Sequence, residues 1–135
     1  MQVVDQLLPD PLVAGRFFTG PDEGPFVMVN LLRFRDRAEY HDGSDTHLSG
    51  REAYDRYAEG VRPLIEALGG RVVYSGAVTG LLLGEVEDLW DAVGLVEYPS
   101  LGAFRDMALS PEMRAIEHHR MAGLAGQLNI RTRPQ

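Results

Sequence analysis

"FVMVNLLRF", residues 26–34, is apolar at both parities, and its reading decides the fold. A strand with one wet face alternates apolar and polar residues. Here Phe26, Met28 and Leu32 would point to one side while Val27, Val29 and Leu31 point to the other. Such a strand is covered on both faces. Asn30 interrupts the run, and a buried amide must be satisfied by backbone or by a ligand. Arg33, on the opposite parity near the strand end, is expected at a rim.

Before this strand, residues 1–24 read as a lead segment with a short helix after Pro11, ending in the loop "TGPDEGP". After it, residues 35–48 are polar and turn-rich, which suggests a surface loop. Ser49 and Glu52 then form the signature of a capping box. Ala53, Tyr57, Gly60, Val61, Leu64 and Leu68 share one helical face, with Asp55, Arg56, Glu59, Arg62 and Glu66 opposite, so the helix is amphipathic. Pro63 is expected to kink or break it, and Gly69-Gly70 to end it. "RVVYSGAVTGLLLG" (71–84) reads as a second strand whose glycines mark a bulge or bend, and "AVGLVEY" (92–98) as a third. Pro99-Ser100 and Ser110-Pro111 open two more helices, Gly123 closes the second, and "LAGQLNI" (124–130) forms the last strand.

The domain proper thus runs over residues 25–130, with 131–135 as a tail. Its order, β-α-β-β-α-β, is the α+β ferredoxin-like arrangement: a four-stranded antiparallel sheet with helices on one face. The other face would then be wet, yet the first strand does not alternate and the third is apolar except at Glu97. Something must cover that face, and a second copy of the same sheet does so most simply. A homodimer built sheet to sheet is expected; the competing cover is the lead segment folded back.

Composition narrows the functions. A chain of 135 residues suits one domain. It contains no cysteine, and all thirteen basic residues are arginine, so thiolate chemistry, lysine Schiff bases and the P-loop lysine are excluded. A net charge of −7 argues against nucleic acid as a partner. No apolar run is long enough to span a bilayer, and the first residues lack the basic region of a secretory signal. The cytoplasm is the expected location, with no membrane partner.

Five blocks, "PFVMVNLLRF", "SGREAYDRYAEG", "GGRVVYSG", "LWDAVGLVEYPSLGAFRDM" and "SPEMRAIEHHRMAGL", together resemble one uncharacterised family. It is the domain of unknown function thirteen-thirty, of the dimeric α/β-barrel superfamily. The likeness covers about residues 25–130 in order. It implies a ferredoxin-like protomer pairing into a barrel, and it implies no reaction. Superfamily relatives include cofactor-free oxygenases, lactone isomerases and haem enzymes, but a shared fold does not carry an activity.

The candidate chemistry starts with His118 and His119. Neighbours on a helix point about 100° apart, which separates the pair. His118 goes to the far side, His119 to the flank of the apolar stripe and Arg120 into it. His119 is the acid–base candidate, weighed against an ordinary semi-buried histidine. Arg120 is a ligand-binding candidate, weighed against a dipole-complementing cation or a pair with Glu97. Asn30, Tyr57 and Trp90 complete the expected ligand-binding set, with Tyr54 a flanking core aromatic. Ser75, Gly76, Ala77, Ala92 and Gly94 either let a helix approach or leave room for a pocket. His41, Asp42, Asp45 and His47 read as a solvated turn rather than a metal site. No metal or cofactor is expected.

These residues suit a pocket for a small organic molecule, an anionic one included, in each protomer of the dimer. Were it an enzyme, cofactor-free isomerase, lyase or monooxygenase-like chemistry would fit. The rival is a non-catalytic assembly or regulatory module.

Overall fold

Residues 7–135 of the computed structural model are described; the first six, the start of the lead segment, lie outside them. Four strands and four helices follow in the order α1 (Pro11–Thr19), β1 (Phe26–Phe34), α2 (Gly50–Ala67), β2 (Arg71–Ala77), β3 (Ala92–Tyr98), α3 (Leu101–Ala108), α4 (Pro111–Gly123) and β4 (Leu124–Thr132). The sheet order is β2-β3-β1-β4, antiparallel throughout. This is the expected ferredoxin-like fold.

Local chemistry explains the element ends. Ser49 accepts from the Glu52 N–H and the Glu52 carboxylate accepts from the Ser49 N–H, closing the capping box of α2. Ser100 and Ser110 cap α3 and α4 more simply, each hydroxyl accepting from the N–H three residues on, of Ala103 and Met113. Gly69, at φ +90°, takes the left-handed conformation just past α2. Pro63 does not break α2, which runs unbroken to Ala67. Pro63 is exposed, so the carbonyl that loses its helical donor faces water.

Two expectations shift. β2 ends at Ala77 rather than 84, because its partner β3 begins only at Ala92. Residues 78–91 form a connecting loop in which Leu82 and Leu83 are 101% and 86% exposed. The β2 irregularity falls between Val72 and Tyr74, not at a glycine. The loop before α2 is more than surface: Ala38 is buried with Ala53 and Ala122, and Arg35 N–H donates to the Gly123 carbonyl at 2.8 Å. β4 extends to Thr132, into the expected tail.

The main core lies between sheet and helices and joins Phe26, Met28 and Tyr98 to Val61, Ile65, Met107 and Met113. A second cluster, Leu32, Ala92 and Leu124, takes in Leu7, Phe34 and Tyr54. α2 and α4 lie close because small residues face each other. A Cβ on Gly123 would stand 2.4 Å from the Gly50 carbonyl oxygen, and one on Gly60 would stand 2.8 Å from Ile116. This contact fixes the last turn of α4, and with it Arg120.

The described part of the lead segment, residues 7–24, lies on the helical side of the sheet and not over the bare face. Phe17 of α1 packs with Phe26 and Phe104 on the helical side. On the helix-free face, the cross-strand register sets Val27, Val29 and Leu31 beside Val93 and Leu95 on one flank and Leu128 and Ile130 on the other. Tyr74 pairs with Leu95 at the β2 edge.

Candidate functional site

Between α1, α4 and the sheet lies a cavity of about 700 Å³. One wall is apolar, formed by Phe17, Phe104, Tyr98, Met28, Met107 and Met113, and the opposite end is polar, formed by Asn30, Gln127, Asn129, Arg120 and Glu117. This is the usual composition of a small-molecule site: a greasy body with few polar groups that fix orientation. Strand pleating makes the polar end. Asn30 and Asn129 stand directly opposite in the β1–β4 register, and Gln127 lies two residues along the same face.

Those groups form one directed chain of hydrogen bonds. The Arg120 Nη1 donates to Gln127 Oε1 at 2.7 Å. Gln127 Nε2 then donates to Asn30 Oδ1 at 3.1 Å and to Asn129 Oδ1 at 2.8 Å. Asn30 Nδ2 donates onward to the Gly94 carbonyl at 3.2 Å. Arg120, with its side chain only 11% exposed, also pairs through Nε with Glu117 and donates through Nη2 to the Leu7 carbonyl at 2.5 Å. The glutamate that balances it is therefore Glu117; Glu97 pairs with Arg71 at 3.2 Å instead. Asn30 is satisfied by both protein backbone and Gln127 while still lining the cavity.

Tyr57 contributes a weakly engaged hydroxyl. Among the described residues it donates only to Met113 Sδ, at 3.9 Å, and sulfur is a poor acceptor. Burial pushes its pKa far above the ordinary tyrosine value, and pushes that of Tyr54 up to about 12. Both hydroxyls therefore stay neutral, and neither serves as a phenolate base.

The model of the domain of unknown function DUF1330 matches residues 44–131. The chain belongs to that family. A crystal structure of a protein of unknown function from Rhodopseudomonas palustris is 36% identical over 98% of each chain, with a TM-score of 0.87. More distant likenesses extend the fold alone. A DABB family protein with a ferredoxin-like fold from Mesorhizobium loti is 12% identical over 84% of this chain and 99% of its own, at a TM-score of 0.50. A protein described as dimeric, ferredoxin-like and of unknown function, from Thermobifida fusca, is 16% identical over 81% and 90%, at 0.51. Comparison with proteins of curated function gives no match.

In this DUF1330 chain the structure unites only part of the residue set singled out from sequence. Asn30, Tyr57 and Arg120 meet at the cavity; Trp90 and His119 are not among its lining residues. Trp90 is 8% exposed and stacks under Arg33, whose guanidinium carbon lies 4.5 Å from the ring centroid. Gln127, Asn129 and Glu117 were missed, although their signal was present: alternate strand positions and a spacing of three before Arg120.

His119 belongs to a different cluster. Its Nδ1 lies 2.6 Å from the Tyr40 hydroxyl, and the rings of His118 and His119 are 3.9 Å apart. Arg56, paired with Asp45 at 2.9 Å, stands nearby. The loop before α2 thus draws both histidines to Tyr40, which helical angles alone do not reveal. Among the described residues, no helix is long and apolar enough to cross a membrane.

Burial, then the charges of His118 and Arg56, lower the His119 pKa below 6.5, against a smaller opposing effect of Asp45. In the window from about 6.5 downward the unfolded chain binds more protons, so this group's contribution to stability is full above 6.5 and is lost on acidification. The expected outcome is a urea midpoint that falls less between pH 7.5 and 5.5 in His119→Gln than in the parent. An identical fall in both would show that His119 takes no part.

Proposed function

We propose that each protomer of a sheet-to-sheet homodimer binds a small organic molecule in the cavity beneath α1, with the polar end oriented by Arg120. The observation that carries this is the junction of an aromatic and methionine wall with the Arg120–Gln127–Asn30 hydrogen-bond chain. Dimerisation is supported by the apolar helix-free face of the sheet, which no described helix covers and whose burial would supply about 25 cal/mol per Å² of apolar surface. Since Glu117 already neutralises Arg120, the site suits a neutral oxygen acceptor better than an isolated anion. Its groups bind and polarise. Proton transfer by His119 finds no support in the cavity.

One observation favours the assembly or regulatory reading: Glu117, Gln127 and the Leu7 carbonyl already engage the Nε, Nη1 and Nη2 of Arg120. Thermal shift with cinnamamide, an aromatic amide, separates the two. The expected result is a concentration-dependent rise in Tm for the parent protein that disappears in Arg120→Met. Arg120→Met alone should lower stability by roughly 1–3 kcal/mol, since Gln127 loses its donor and Glu117 its partner. Equal shifts in both proteins, or none in either, would favour the purely structural role.

A further inference from the structure

The polar end of the cavity is already occupied, by the chain itself. Arg120 Nη2 donates to the Leu7 main-chain carbonyl at 2.5 Å. The Leu7 side chain packs against the cluster of Leu32, Ala92 and Leu124, with Phe34 and Tyr54 beside it. A neutral carbonyl oxygen on a branched aliphatic body therefore sits where the arginine points.

The segment carrying that carbonyl is held unevenly. At its far end Phe17 is wedged among Phe26 and Phe104, and Arg105 donates to the Phe18 carbonyl at 3.3 Å. Among the described residues, the near end of α1 has no such anchorage. Leu8, Leu12 and Val13 are 64%, 73% and 60% exposed, and no residue of α1 is fully buried. A helix of nine residues has little stability without packing. Among the described residues, the Leu7 contacts tie this end to the rest of the fold.

We infer that residues 7–14 are a displaceable strap whose Leu7 carbonyl stands in for the ligand, and that the ligand class is a neutral carbonyl compound with an aliphatic or aromatic body. This rests on the cavity being a ligand site. An incoming amide, ketone, ester or lactone oxygen accepts the Arg120 Nη2 hydrogen bond that the Leu7 carbonyl now accepts. Its body fills apolar space beside Phe104 and Met113 that the strap leaves open. Tyr57 gains a better acceptor than the Met113 sulfur. The strap swings out about its Phe17 anchor, so binding and opening are one event.

Hydrogen exchange read by mass spectrometry on the full chain tests this, with octanamide as probe and octanoate as its charged counterpart. Without probe, residues 8–14 should exchange at least tenfold faster than β1. With saturating octanamide they should speed up at least a further threefold while β4 slows, and octanoate should need at least tenfold higher concentration. Leu7→Gly, which loosens the strap but keeps its carbonyl, should bind octanamide several-fold tighter. If residues 8–14 exchange only together with the sheet, or if octanamide slows them along with β4, the strap is a fixed wall and the inference fails while the ligand site stands. If neither probe changes exchange anywhere, the ligand site itself fails and the displacement with it. Preference for octanoate would overturn the ligand class.

Discussion

Gly50→Ala should cost about 3–5 kcal/mol, much of the 5–15 kcal/mol by which a domain of this kind is stable. The added Cβ would fall 2.1 Å from the Arg35 carbonyl oxygen, 2.6 Å from that of Gly123 and 2.7 Å from the Arg35 nitrogen. All three are backbone atoms and cannot swing aside. They are also tied together: Gly50 N–H donates to the Arg35 carbonyl at 3.1 Å, and Arg35 N–H to the Gly123 carbonyl at 2.8 Å. Relief requires α2 and α4 to separate at this end, which opens the contact between Ala53 and Ala122 and moves Arg120. Urea denaturation measures the loss. Gly94→Ala is the matched control, since its nearest neighbour is Asn30 Cβ at 4.0 Å and the stability should barely change. Equal effects at the two glycines would mean that close backbone approach does not govern this junction.

Leu95→Lys should raise the dissociation constant of the proposed sheet-to-sheet dimer by three orders of magnitude or more. Leu95 lies opposite Val29 on β1 and Tyr74 on β2, near the middle of the helix-free face. Each dimer would then bury two ammonium groups among valine and leucine, without partners, at several kcal/mol apiece. The helical side of the sheet does not contain this position, so the protomer should keep its far-ultraviolet circular dichroism. Sedimentation velocity across a dilution series reads the change. Unaltered association in Leu95→Lys would place any interface elsewhere.

The strands and helices were legible because their chemistry is local. "FVMVNLLRF" declared both of its faces, and Ser49 with Glu52 declared the start of α2. What remained hidden depends on contacts between distant residues. β2 looks continuous to Gly84, but only pairing with β3 determines that it stops at Ala77. The loop containing Tyr40 looks solvated, yet Ala38 is 3% exposed and the loop carries Tyr40 to His119. His119 therefore read as a pocket residue when it serves a neighbouring cluster. Arg120 was correctly set within the apolar stripe of its helix, but Glu97 was the wrong partner. Glu117, one helical turn earlier, was the nearer carboxylate, and Leu7 lies 113 residues away in sequence, beyond any periodicity.

Native mass spectrometry of the freshly purified chain, with and without octanamide, tests the dimeric ligand site most directly. The expected species has twice the 15.0 kDa chain mass and takes up to two amide molecules per dimer, with Arg120→Met taking none. A chain that remains at 15.0 kDa at micromolar concentration and retains no amide would contradict both the sheet-to-sheet pairing and the cavity's role.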